Sequence, residues 1–191
     1  MRNFIGCFDE ITELFPGNVS IEEGENKWTY LQLQKKSQGL AAELIFHGVK
    51  KQDVIALHML KSLDYITAML ACWYVGAVFV PIDLELPLER TQYILKDSGA
   101  TFILGQAVGG VVGLTHIKFK LTNSLNEFYE LQQEDSAYII YTSGSTGAAK
   151  GVELSHAGLA PMLEDQINAF NLNSESRSLF LLSIGFDASI S

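Results

Sequence analysis

Apolar positions along this chain come in two rhythms. Val54–Met59 and Val78–Ile82 are short, nearly continuous apolar blocks containing several β-branched residues. Blocks of that length suit strands buried on both faces. Between them, Leu63–Tyr74 has the length and composition of a buried helix. Further on, Pro87 stands where a first helical turn tolerates it, Gly99 where a helix ends, and Thr101–Leu104 reads as another strand. This alternation predicts an α/β fold, a parallel sheet flanked by helices.

The neighbouring segments extend the pattern. Val19–Ile21 and Lys27–Thr29 enclose a Glu-Gly-Glu-Asn turn, which predicts a hairpin. Thr29 then has the character of an N-cap, with Gln32 three residues on to close a capping box. Leu33, Ser37, Leu40, Ala41 and Leu44 follow at helical spacing, and Gly48 can end that helix. Residues 1–18 form a lead-in segment, and residues 19–191 form one α/β unit. Gly105–Leu114 reads as a loop or a glycine-containing strand, and Asn123–Asp135 as a short helix plus linker. Ala137–Tyr141 is an uninterrupted apolar run, expected to be a central strand. His156 follows Ser155 at a helix start, with Pro161 as an alternative first turn.

One apolar stretch has the length of a membrane span. Tyr65–Ile82 carries no charge, but Gly76 and Pro81 interrupt it, and its second half is strand-like. A buried helix followed by a buried strand is the better reading. Composition adds two limits. Charged residues make up 18% of the 191 residues, below the usual quarter. That fits either a surface covered by another polypeptide or a well-buried α/β sheet. The net charge of -9, from 13 basic and 22 acidic residues, argues against nucleic acid as the main partner. A single nucleotide needs only a local site and remains compatible.

The remaining residue types assign little chemistry. Cys7 and Cys72 fall in no metal or redox spacing and read as free thiols of a reducing compartment. Met1–Phe15 carries Asp9, Glu10 and Glu13, unlike a signal peptide, so the cytoplasm is expected. His47, His58, His116 and His156 are scattered, and no protein-held metal is assigned. Trp73 and Tyr74 read as core. Lys35, Lys36, Lys50 and Lys51 read as solvated surface charges.

The most informative stretch follows Ala137–Tyr141. It reads Thr142-Ser143-Gly144-Ser145-Thr146-Gly147-Ala148-Ala149-Lys150-Gly151. Glycines allow a sharp turn and close approach of backbone to ligand. Consecutive backbone N–H groups in such a loop form an anion-binding concavity. Four hydroxyls and the Lys150 ammonium add donors, and together they suit a polyphosphate. The stretch is not a P-loop, since Lys150 is not preceded by glycine. Nor is it a hydrolase nucleophile elbow, since Ser143 stands two residues before Ser145. A serine hydrolase pairing Ser145 with His156 is therefore poorly supported.

The sequence Tyr-Thr-Ser-Gly-Ser-Thr-Gly-x-x-Lys-Gly after an apolar strand resembles the signature loop of the adenylate-forming (AMP-dependent synthetase/ligase) superfamily. Other stretches agree: Trp28-Thr29-Tyr30-x-x-Leu33; Gly76-Ala77-x-x-Val80-Pro81-Ile82-Asp83 with Pro87, Arg90 and Tyr93; and Phe186-Asp187-Ala188-Ser189. The first resembles the early helix-entry motif, and the other two resemble the second and fourth core motifs of the peptide-synthetase branch. From Val19 onward, the chain is similar to the N-terminal part of a nonribosomal peptide synthetase adenylation domain. The fold this implies is a partial N-terminal domain of the superfamily.

The resemblance implies a reaction in which a substrate carboxylate attacks the α-phosphate of ATP, with Mg2+ bridging phosphates. The products are an acyl-adenylate and pyrophosphate. It implies that Thr142, Ser143, Gly144, Ser145, Thr146, Gly147, Lys150 and Gly151 form the phosphate site. It implies that Asp187 holds the α-amino group of an amino-acid substrate, an interaction that a carboxylate in a partly dry pocket makes strong. The loop departs from the family at Ala148 and Ala149, where a polar or basic residue and then proline are usual. Loss of the proline loosens the loop, because φ is no longer fixed.

The family's adenine and ribose contacts and its catalytic lysine match nothing in these residues. No catalytic residue is located, and the isolated chain is expected to be catalytically deficient. Expected partners are the amino acid, the remainder of an adenylation domain and a carrier protein. Rival readings are a D-alanine–carrier-protein ligase-like fragment and a non-catalytic remnant or interaction protein.

Overall fold

The structure, a computed structural model, describes residues 3–121, 128–143, 149–180 and 183–185. Helix α1 (Phe4–Leu14) starts at Asn3, whose side-chain oxygen accepts the Gly6 amide at 2.8 Å. It buries Ile5 and Phe8. The hairpin expected next is present as β1 (Val19–Glu23) and β2 (Asn26–Thr29), paired antiparallel. Helix α2 (Tyr30–Phe46) opens with the capping box. The Gln32 amide donates to Thr29 Oγ1 at 3.2 Å, and the Thr29 amide donates to Gln32 Oε1 at 2.9 Å. Two otherwise orphaned donors are thereby satisfied. Leu33, Ser37, Leu40, Ala41 and Leu44 are all buried, as their spacing requires.

The α/β alternation follows as β3 (Val54–His58), α3 (Leu63–Tyr74), β4 (Val78–Ile82), α4 (Leu88–Asp97) and β5 (Phe102–Gly105). After it come β6 (Thr115–Ile117), β7 (Ser136–Ser143), β8 (Ala149–Ser155) and α5 (His156–Ala169). The six strands lie in the order β6-β5-β3-β4-β7-β8. All neighbours are parallel except β7 and β8. The architecture is thus mixed α/β, with a mostly parallel sheet flanked by helices.

Alternation along each strand divides the core between two faces. Ile55, Leu57, Phe79, Leu104, Tyr138 and Ile140 join residues of α1, α2, α3 and α5 in one cluster. Ala56, Val80, Ile82 and Ile103 join Ile94 and Leu95 of α4 in the other, with Ile139 and Tyr141 against them. Helices therefore cover both faces, which is why the strands read as continuous apolar blocks. Among the described residues no helix is long and apolar enough to cross a membrane. Tyr65–Ile82 forms most of α3 and the whole of β4.

Several expectations need correction. Residues 128–135 contain no helix, while 122–127 lie outside the described residues. Pro161 does not open α5. The helix begins at His156 and carries the proline in its interior. Tertiary hydrogen bonds favour the earlier start: the His156 amide donates to Asp135 O at 2.9 Å and the Ala157 amide to Gln133 O at 2.8 Å. Lys51 is no free surface charge. It pairs with Asp135 at 2.7 Å and donates to Glu130 O at 3.0 Å. Strand β7 is interior, but it lies next to the edge, because β8 folds back along it. Strands β6 and β8 are too short or too polar to stand out in the apolar pattern.

Candidate functional site

The parallel strands β3, β4, β5 and β7 direct their carboxyl ends to one edge of the sheet. In open α/β sheets that edge is where ligands bind. Of the residues expected at a phosphate, Thr142, Ser143, Lys150 and Gly151 sit at that edge, on the paired ends of β7 and β8. Strand β7 is held early in its course. Trp73 Nε1 donates to Ala137 O at 3.0 Å within the core. The Gln52 side chain receives the Ser136 amide at 2.9 Å and donates to Ser136 O at 3.2 Å. Gln52 adopts a left-handed φ of 67° to do so.

At the far end, the register places Ser143 opposite Ala149, Thr142 opposite Lys150 and Tyr141 opposite Gly151. Residues 144–148 are therefore a five-residue connection between paired strand ends. Gly144, Ser145, Thr146 and Gly147 themselves lie outside the described residues. Opposed residues of an antiparallel pair share a face, so Thr142 and Lys150 lie side by side. Both are exposed. Among the described residues Lys150 has no carboxylate partner, so its charge is open to an anion.

The opposite face of the hairpin is packed against α4. Ala149 is buried, and its carbonyl accepts the Tyr93 hydroxyl at 3.0 Å. Tyr141 donates its hydroxyl to Asp97 Oδ2 at 2.8 Å. Burial, aided by the Asp97 carboxylate, pushes the Tyr141 phenol well above its ordinary pKa, so it stays a neutral donor. The rings of Tyr93 and Tyr141 meet edge to face at 6.4 Å. Gly151 makes this packing possible. A Cβ there would come within 3.1 Å of Ile139 Cγ2 and of the Tyr141 ring.

A third element reaches the same edge. Asp83 follows β4, and its carboxylate accepts the Ser183 hydroxyl at 2.8 Å and the Glu85 amide at 3.0 Å. Ile184 is buried in the larger core cluster, and Phe180 stacks on Tyr65 at 6.1 Å. These contacts bring the segment ending at Gly185 to the carboxyl end of β4, beside β7. Asp187 lies outside the described residues.

Sequence reading did not foresee the Tyr93–Ala149, Tyr141–Asp97 or Asp83–Ser183 contacts. Tyr93 and Asp83 belong to recognisable motif stretches, but no sequence periodicity connects residues 44 to 100 positions apart.

The model of the family described as AMP-binding enzyme matches residues 8–191. The chain belongs to that family. Its relatives are nonribosomal peptide synthetases. It is 34% identical over 194 residues to tyrocidine synthase 1 of Brevibacillus parabrevis, covering 96% of this chain and 18% of that protein. It is 36% identical over 196 residues to gramicidin S synthase 1 of Brevibacillus brevis, with coverage of 96% and 18%. Among solved structures, the Klebsiella oxytoca NpsA N-terminal subdomain in complex with 3-hydroxybenzoyl-AMSN superposes with a TM-score of 0.91 at 28% identity. The match covers 100% of this chain and 50% of that one. NpsA-ThdA, an artificially fused adenylation-PCP di-domain, superposes with a TM-score of 0.92 at 28% identity, covering 100% and 40%. This AMP-binding chain thus corresponds to the N-terminal part of an adenylation domain, about half the length of the NpsA subdomain.

Proposed function

We propose that the chain supplies the phosphate-binding part of an adenylate-forming site, which activates an amino-acid carboxylate with ATP and releases pyrophosphate. The observation that carries this reading is the β7–β8 hairpin. Five residues, Gly-Ser-Thr-Gly-Ala, join the end of β7 at the carboxyl edge of a mostly parallel sheet to a strand whose exposed Lys150 stands opposite Thr142.

The roles follow from the chemistry of the residues. Backbone N–H groups of residues 144–147 and the hydroxyls of Thr142, Ser143, Ser145 and Thr146 suit the β- and γ-phosphates. Lys150 supplies a positive charge to the departing pyrophosphate. Gly151 keeps Tyr141 packed beneath the loop exit. Holding groups in place and offsetting charge are what such a transfer asks of the protein. Mg2+ supplies charge neutralisation on the phosphates. The loop's hydroxyl oxygens are hard donors of the type it takes, and it would be bound with the nucleotide rather than in a protein cage. Asp187 would hold the substrate ammonium. The Ser183–Asp83 contact supports that role by keeping the preceding segment at the same edge. Because NpsA was solved with an aryl ligand, aryl acids belong among the acids tested beside amino acids.

The chain spans half of the NpsA subdomain, so the groups that orient the rest of the nucleotide are expected from the remainder of an adenylation domain. A carrier protein would take the acyl group. A cytoplasmic location accords with the free thiols Cys7 and Cys72.

The test is calorimetric titration of the chain with Mg2+-pyrophosphate, alongside amino-acid-dependent ATP–pyrophosphate exchange. Weak pyrophosphate binding is expected, about tenfold weaker in Lys150→Ala, in line with the loss of one charged hydrogen bond. Exchange by the isolated 191 residues is expected to be undetectable. Equal pyrophosphate affinity in the wild type and Lys150→Ala would remove the basis of this reading.

A further inference from the structure

Helix α4 makes two hydroxyl-mediated contacts with the β7–β8 hairpin, and both fall where the phosphate loop begins and ends. Tyr93 donates to the carbonyl of Ala149, the residue immediately after the five-residue connection. Tyr141, two positions before that connection's anchor Ser143, donates to Asp97. Tyr93 and Asp97 lie four apart on α4, so they project from one helical face. Their ring and carboxylate partners interlock through the Tyr93–Tyr141 edge-to-face contact. The Tyr93 hydroxyl holds a backbone carbonyl of β8, and the Tyr141 hydroxyl ties β7 to Asp97 of α4.

The sequence gives this arrangement a purpose. Ala149 stands where the family usually has proline. Proline would fix φ at the loop exit without help from elsewhere. Alanine lacks that covalent restraint, so the backbone there rests on its pairing with Ser143 and on the contact from α4. Holding the Ala149 carbonyl restrains the backbone of that residue from its other side, and it is the atom to which the Tyr93 hydroxyl donates. The next residue is Lys150, whose ammonium must stay beside Thr142 to meet a phosphate.

We propose that Tyr93 is a positioning residue for the phosphate site, fixing the Ala149 carbonyl, and through it Lys150, in place of the missing proline. The inference rests on the phosphate-binding reading of the loop. Tyr93 touches no phosphate itself. Asp97 and Tyr141 complete the clasp by holding the entering strand against the same helix.

The experiment compares the wild-type chain with Tyr93→Phe, Ala149→Pro and the double variant. Three quantities are read: the rate of tryptic cleavage after Lys150, the affinity for Mg2+-pyrophosphate, and the melting temperature. Tyr93→Phe is expected to raise cleavage at Lys150 about fivefold and weaken pyrophosphate binding about fivefold, the effect of one ordinary hydrogen bond. The melting temperature should stay close to that of wild type. In the Ala149→Pro background, Tyr93→Phe should change both rate and affinity by less than about twofold, because the torsion is then fixed covalently. A merely structural role would move the melting temperature and would not be relieved by proline at 149. If pyrophosphate binds and Tyr93→Phe leaves cleavage and affinity unchanged, the positioning role is overturned while the phosphate site stands. If wild type binds no pyrophosphate although Tyr93→Phe raises cleavage, the phosphate reading itself fails and the positioning role falls with it.

Discussion

Gly105 ends β5 with a φ of +100°, and an added Cβ would lie 2.3 Å from the backbone oxygen of His58 and 3.0 Å from Met59 Cβ. The blocking atom belongs to the neighbouring strand β3, so no side-chain rotation relieves the clash. Gly105→Ala therefore combines two costs. A left-handed backbone costs an L-residue about 1–2 kcal/mol. Forcing neighbouring backbone apart in a packed core costs about 1–3 kcal/mol. The sum is roughly 2–5 kcal/mol, which in a domain of this size lowers the melting temperature by about 4–20 °C. Gly99→Ala is the internal control. Gly99 also has a positive φ, +68°, but nothing lies within 4 Å of its Cβ position. Only the backbone cost applies there, with a fall of about 2–8 °C. Calorimetric melts of both variants at one pH measure the difference. If Gly105→Ala melts no lower than Gly99→Ala, the argument from the His58 carbonyl is wrong.

His156 is buried, and neither ring nitrogen has a hydrogen-bond partner among the described residues. Burial pushes its pKa down to about 4; Lys51 adds to this and the Asp135 carboxylate opposes it. The unfolded chain then binds more protons than the native one from about pH 6.5 down to pH 4. Stability is present above that range and is lost as pH falls through it. Between pH 7.5 and pH 5 the loss should be about 2 kcal/mol in urea titrations, and His156→Phe should abolish that share of the slope. Trp73→Phe leaves the buried Ala137 carbonyl without its indole partner and opens space beside Phe79. A loss of about 2–4 kcal/mol is expected from the urea midpoint, and a loss below 1 kcal/mol would contradict that account.

Two kinds of information were legible in the residues alone. Local signals placed elements well. The Thr29–Gln32 capping box, the helix Leu63–Tyr74 and the strand Val78–Ile82 all depend on neighbours within a few positions, and all are found as read. The composition of Thr142–Gly151, small and hydroxyl residues before a lysine, is local information of the same kind, and the anion site proposed from it rests on the pyrophosphate titration.

What the sequence could not decide were matters settled between distant segments. Pro161 looked like a helix start by its own preference, yet the amides of His156 and Ala157 find acceptors in the segment 133–135 and start the helix five residues earlier. Lys51 looked like surface charge until the fold brought Asp135 to it. Strand β8 reads as the polar tail of a loop, and pairing with β7 makes it a strand. Its face and register, which set Lys150 beside Thr142 and Ala149 beneath Tyr93, exist only once α4 and β7 have been packed on the same sheet. By itself, the sequence determined which residues carry charge, hydroxyls and backbone freedom. The tertiary structure decided which of them meet, because hydrogen bonds and ion pairs between residues far apart in the chain depend on distances that no local periodicity encodes.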